Sequence, residues 1–210
     1  MSFLETWAEN DLIFNNSFSG YTAFSTARQR TGDRGRYPGG VCTIVRNELV
    51  NYVQRVNCSL HDCVVLLFDG KLFSLGKDVL LINAYISPQY STVYGYLPSR
   101  NGVELLENEI LDLMTKLPDV HIIVAGDLNA RTGVEPDFIF DDDTAFVCSD
   151  FVSYDKDDFY IPRVSKDQEM NKFGRDLLSL CCSFNLHFLN GRVGDDANQG
   201  DYTCIANAGN

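Results

Sequence analysis

His121-Ile122-Ile123-Val124-Ala125-Gly126-Asp127-Leu128-Asn129-Ala130-Arg131-Thr132-Gly133 is an apolar run that breaks at a glycine into a polar turn. The run 121–125 has strand length and no polar alternation, which predicts a strand buried on both faces. Asp127 then stands at the mouth of that strand, where a carboxylate can orient or deprotonate a water. Asn129 follows two residues later. In an extended chain its amide points to the same side and can hydrogen-bond a phosphate oxygen. A strand that simply ends in an Asp/Asn/Gly turn has the same letters, so this segment alone leaves both readings open.

Working outward, short apolar runs alternate with turn signals at 3–6, 21–25, 40–45, 52–56, 63–68 and 79–85, and all read as strands. Asp69-Gly70 between two of them predicts a tight hairpin turn. Residues 103–117 place Leu105, Leu106, Ile110, Leu113, Met114 and Leu117 at helical spacing, and Pro118 ends the helix. A second helix is predicted over 172–184, and strands over 186–189 and 202–205. Residues 131–169 are acidic and irregular, a long loop region of the kind that often carries function. The pattern fits an α/β or α+β sandwich, not a repeated βαβ barrel.

The chain has 210 residues, 45% hydrophobic and 22% charged, which suits one globular domain spanning 1–210 and excludes a disordered tail or disulfide miniprotein. Its net charge of -12 does not suit a mainly basic nucleic-acid binder. The charge is uneven: residues 131–210 carry 15 acidic and 7 basic groups, while residues 1–60 are nearly balanced. Seven cysteines, an odd number without a CxxC pair, read as reduced thiols of an intracellular protein, nuclear or cytoplasmic. The first residues lack a basic start and a long apolar segment, so neither a secretory signal nor a membrane span is expected.

Nucleotide-loop motifs are set aside. There is no GxGxxG after a strand, HExxH or GxSxG, and Gly70–Asp78 has the wrong spacing for a phosphate loop. Three further signals remain. Glu5 closes a short apolar strand, and a hard oxygen donor there suits magnesium, although a strand-end glutamate is usually just solvated. Tyr85 ends the strand 79–85 before Pro88; its hydroxyl could touch a phosphate, or the ring could merely be half-buried. Four arginines, 28, 30, 34 and 36, lie before Gly39-Gly40-Val41 and could meet a phosphate backbone or form a solvated loop.

Taken together and in this order, these segments resemble the endonuclease/exonuclease/phosphatase superfamily. The likeness is carried by Glu5-Thr6-Trp7, Gly39-Gly40-Val41, Asn83-Ala84-Tyr85-Ile86-Ser87-Pro88, Gly126-Asp127-Leu128-Asn129-Ala130-Arg131 and Asn171-Lys172-Phe173-Gly174. Leu189-Asn190-Gly191 and Asp201-Tyr202-Thr203 extend it. Within the superfamily the chain is most similar to apurinic-type endonuclease domains of non-LTR retrotransposons and their craniofacial-development-protein-like relatives. The resemblance implies a DNase-I-like four-layer α/β sandwich, two packed and mostly antiparallel sheets flanked by helices. It implies a Mg²⁺- or Mn²⁺-dependent endonuclease or phosphodiesterase acting on DNA, with no membrane partner and a reverse transcriptase domain downstream in a parent polyprotein. Glu5 then binds the metal, Asp127 positions or activates the water, Asn129 holds a phosphate oxygen and Tyr85 contacts the phosphate. Arg131, Arg34 and Arg36 are the expected contacts to phosphate or DNA.

Departures from the family pattern shape the expectation. The family carries an asparagine on a strand well before the Glu5 position, and Ser-x-x-Asp and Ser-Asp-His segments beyond the point reached here. The domain therefore reads as partial, incomplete at both termini, with impaired hydrolysis. The alternatives are an inactive remnant or interaction module, and a phosphatase acting on another phosphoester.

Overall fold

The computed structural model describes residues 1–9, 11–14, 17–27, 39–97, 99, 101–139 and 161–203. The basic loop with Arg34 and Arg36 lies outside them, as does the acidic stretch 140–160. Two compact units divide the chain, Met1–Asn129 and Ala130–Asn210.

The first unit holds β1 (Ser2–Leu4), β2 (Tyr21–Thr26), β3 (Val41–Arg46), β4 (Val53–Val56), β5 (Cys63–Phe68), β6 (Asp78–Tyr85), α1 (Gly102–Lys116) and β7 (Val120–Asp127). One sheet has the order β1-β3-β2, all antiparallel, and the other β4-β5-β6-β7. β7 runs parallel to β6, which requires a crossover, and α1 supplies it. Val41 and Val45 of β3 meet Val64 and Leu66 of β5 in a buried core between the sheets, with Leu4, Phe24 and Tyr85 packed against it. Alternation then assigns the rest. Val64 pairs with Asn83, so Asn83 also faces the first sheet, and its Nδ2 donates to Thr43 Oγ1 at 3.0 Å. Cys63, Val65, Leu80, Ile82 and Ala84 face the other way and are buried as well.

α1 covers that second face with Val103, Leu106, Ile110 and Leu113. Its first residue, Gly102, lies against Ile86, and a hydrogen bond with Cys58, burial and the Glu109 carboxylate together push the Cys63 thiol well up. Asn101 caps the helix, accepting from the Val103 and Glu104 N–H groups. This is the two-sheet α/β sandwich that the resemblance implies.

In the second unit, α2 spans Lys172–Phe184, with Asn171 as its N-cap and Asn185 in left-handed conformation at its end. Arg192 donates to both Asp137 oxygens, at 2.5 and 2.6 Å, with both side chains fully buried. The Phe188 N–H adds a third bond to that carboxylate at 2.7 Å.

Four local expectations change. The connection after β5 is not a tight Asp-Gly turn. Asp69 instead caps a short 3-10 turn, Gly70–Phe73, before β6 begins at Asp78. Residues 186–189 form no strand, nor do Tyr202 and Thr203, while residues 204 and 205 lie outside the described ones. β1 stops at Leu4 instead of reaching Thr6. β7 is an edge strand among the described residues and is not buried on both faces; Ile123 is 45% exposed. The described first sheet has three strands against four, so Ile123 and His121 on β7 stay exposed on that side.

Candidate active site

Parallel pairing of β6 and β7 puts Tyr85 opposite Asp127 in register. Both strands end there, and the Ile86 N–H extends the ladder to the Asp127 carbonyl at 2.8 Å. Alternation places the Tyr85 and Asp127 side chains on the side that faces the first sheet. From that sheet β1, paired with β3, delivers Glu5 to the same place. The Tyr85 hydroxyl donates to Glu5 Oε1 at 2.6 Å, joining residues 80 positions apart.

The backbone around Glu5 is tightly specified. Glu5 and Trp7 both hold φ 48°, in the left-handed region. The Thr6 N–H donates to the Gly40 carbonyl at 3.1 Å, and the Trp7 N–H to the Gly39 carbonyl at 3.0 Å. Gly39 and Gly40 have φ 71° and 89°, and a Cβ on Gly40 would stand 2.5 Å from Thr6 Oγ1. The Gly-Gly pair therefore exists for conformation and for close approach.

Asp62 is the residue that sequence reasoning missed. It is buried, and its Oδ1 accepts the Gly40 N–H at 2.8 Å. A Cβ on Gly39 would sit 2.6 Å from the same oxygen. The Asp62 carbonyl accepts the Tyr85 N–H at 2.9 Å. One residue thus ties the turn that holds the Glu5 segment to the strand end that carries Tyr85. The available signal was an acidic residue directly before the apolar run of β5.

Asp127 and Asn129 are brought together differently than expected. Gly126 has φ 127°, and a Cβ there would lie 1.9 Å from the Ala84 carbonyl oxygen, so β7 can approach β6 only with glycine at this position. After Asp127 the chain turns instead of staying extended. Asn129 takes φ 48°, and its N–H donates to Asp127 Oδ1 at 2.9 Å. Its Nδ2 donates to the Ile86 carbonyl at 2.8 Å, pinning it to the end of β6. Four of the seven described non-glycine residues with positive φ (Glu5, Trp7, Tyr90 and Asn129) belong to this end of the unit, and such concentrated backbone strain is typical of functional sites.

Arg131 lies in the second unit, where its guanidinium is already engaged. Nε and Nη2 donate to the two Asp167 oxygens at 2.9 and 2.7 Å, and Nη1 pairs with Glu169. The hydrogen bond from Arg131 holds the Asp167 carboxyl below the usual range. A phosphate at Arg131 would have to compete with two carboxylates.

Among the described residues no three His, Cys, Asp or Glu side chains gather to form a protein metal cage. Glu5 is an exposed carboxylate beside a phenolic oxygen, and β1 packs against β7, which carries Asp127. One hard carboxylate with open solvent around it fits Mg²⁺, which keeps several waters and needs one or two carboxylates.

The sequence profile of the Endonuclease/Exonuclease/phosphatase family matches residues 1–150. The chain belongs to that family. Its members are phosphoester-cleaving hydrolases, and the family generally uses a divalent metal. Glu5, Asp62, Tyr85, Asp127, Asn129 and Arg131 all fall inside the matched span. Among solved structures, the human Nocturnin catalytic domain with bound sulfate anion is similar at 14% identity and a TM-score of 0.35. The match covers 59% of this chain and 50% of that one, so the chain spans about half the length of that structure. No curated protein matches the chain. No helix among the described residues is long and apolar enough to cross a membrane.

Proposed function

We propose that this chain is a metal-dependent phosphodiesterase domain that cleaves DNA, of retroelement origin and closest to the apurinic-type endonucleases of non-LTR retrotransposons. The observation that carries the reading is the convergence of Glu5, Tyr85 and Asp127 at one end of the two sheets, through the Tyr85–Glu5 hydrogen bond and the Tyr85–Asp127 register. Glu5 would hold Mg²⁺ or Mn²⁺. The bound cation supplies charge neutralisation at the phosphate and at the leaving oxygen. Asp127 orients the attacking water and takes its proton as the new P–O bond forms and the ester P–O bond breaks. Asn129, anchored on the Ile86 carbonyl, and the Tyr85 hydroxyl contact the phosphate oxygens. A tyrosine hydroxyl has a single proton to donate, so Tyr85 serves Glu5 or phosphate, and occupation of Glu5 is coupled to phosphate contact.

The test is nicking of supercoiled plasmid by the purified chain with Mg²⁺. Nicking that disappears in Asp127→Ala supports the reading. Absence of nicking in a folded chain overturns it in favour of a binding module, and a preference for phosphoinositide over DNA selects a lipid phosphatase.

A further inference from the structure

Two large aromatic side chains stand out of this end of the unit. Trp7 is 47% exposed and follows Glu5 by two residues; Tyr90 is 89% exposed and follows Tyr85 by five. Chain length bounds their separation from the pair: at most about 7 Å of backbone from Glu5 to Trp7 and about 17 Å from Tyr85 to Tyr90.

Their backbones make the exposure informative. Tyr90 is the third residue of the turn Pro88-Gln89-Tyr90-Ser91, closed by the Ser91 N–H on the Pro88 carbonyl at 3.0 Å. Its φ is 71°, and that turn position normally takes Gly or Asn. A tyrosine there bears strain, and a ring left in solvent recovers almost nothing by burial. Trp7 also holds a positive φ, 48°, with about half of the residue exposed. Both rings are held by firm backbone. The Trp7 N–H is bonded to Gly39, and the residues before the Tyr90 turn, Ile86 and Ser87, are buried, with the Ser87 carbonyl accepting the Tyr94 hydroxyl at 2.5 Å. Rigid aromatic faces beside a phosphate site suit one chemistry above others, that of a nucleobase. Base–aromatic stacking is strong and indifferent to base identity because every base has a π-face. It also needs a base that is not already stacked in a duplex.

We infer that Trp7 and Tyr90 stack on unpaired bases flanking a phosphate that Tyr85 contacts. This rests on the phosphodiesterase reading of that site. The test measures binding separately from hydrolysis. In an Asp127→Ala background of the full chain, anisotropy of a labelled single-stranded oligonucleotide is compared with an abasic strand of equal length and with phosphoinositide vesicles. Trp7→Ala and Tyr90→Ala each weaken oligonucleotide binding by about tenfold and leave abasic binding unchanged, whereas Tyr90→Phe, which keeps the ring, binds as the parent does. Unchanged melting temperatures show that the variants fold. Equal losses on the abasic strand, no loss on the oligonucleotide, or tighter binding to vesicles than to the oligonucleotide overturns the inference. Plasmid nicking is scored in the parent with Asp127 intact. Absent nicking with base-dependent binding defeats the hydrolytic reading alone; nicking with no effect of the two rings defeats the stacking alone.

Discussion

Asp62→Ala cuts the link between the Gly39-Gly40 turn and the strand end that carries Tyr85. Asp62 is 5% exposed, and its carboxylate accepts the Gly40 N–H at 2.8 Å. A hydrogen bond to a charged acceptor contributes about 1.5–3 kcal/mol, and an amide left buried without its acceptor adds to the loss. In a chain of this length each kcal/mol moves Tm by about 2–4 °C, so Tm falls by about 5–10 °C. The local consequence is the more specific one. The carbonyls of Gly39 and Gly40 hold the N–H groups of Trp7 and Thr6, so releasing the turn loosens the segment that bears Glu5. The chain has a single tryptophan, Trp7, and its fluorescence reads that segment directly. Asp62→Ala is expected to raise the quenching of Trp7 by acrylamide and to reduce hydrolysis mainly through kcat. Asp62→Asn retains an oxygen acceptor for Gly40 and returns both signals most of the way. A fall in Tm with unchanged Trp7 quenching, or an asparagine variant as impaired as the alanine one, would refute the positioning role.

Other consequences are simpler to test. Gly126→Ala places a Cβ 1.9 Å from the Ala84 carbonyl oxygen at a backbone φ of 127°. It should separate β6 from β7 at the site, destabilising by about 3 kcal/mol and abolishing hydrolysis; urea unfolding and nicking read the two effects. Asp137→Ala leaves the buried Arg192 guanidinium without its compensating carboxylate and should cost about 3–5 kcal/mol in urea unfolding. Burial works to raise the Asp137 carboxyl, but Arg192 and the Phe188 N–H outweigh it and hold it below the usual carboxylate range. That stabilisation is present above the unfolded-state value of about 3.9 and is lost as pH falls through the lower folded value. Thermal unfolding between pH 5 and pH 2 should therefore decline more steeply in the parent than in Asp137→Asn, and equal slopes would disprove the assignment.

Much of the fold was legible because it is local. Alternation and short apolar runs located the strands to within a residue or two, and α2 matches its expected span, Lys172–Phe184, because a capping asparagine, an apolar stripe and a terminal asparagine bound it. The expected strand at 186–189 failed for a non-local reason. An apolar run becomes a strand only beside a partner, and there the Phe188 N–H bonds the Asp137 carboxylate instead of a neighbouring strand. β7 differs for the same kind of reason: a short apolar run specifies a strand, but not its place at the edge of a sheet. The bend at Asn129 is not legible in the local sequence because its cause, a hydrogen bond to Asp127 and another to Ile86, combines a local turn with a contact 43 residues away.

By itself the sequence determined the two sheets' strands, both helices, the glycine-aspartate break at the end of β7 and the family to which these motifs belong. These follow from side-chain periodicity and backbone preference, which act over a few residues. The tertiary structure alone decided that the Tyr85 hydroxyl donates a hydrogen bond to Glu5, that Asp62 fastens the Gly39-Gly40 turn to β6, that Arg131 is paired with acidic side chains and that Trp7 and Tyr90 are exposed. Each of these depends on strand order, on parallel register or on burial, and such quantities arise only when segments distant in the chain are packed against one another.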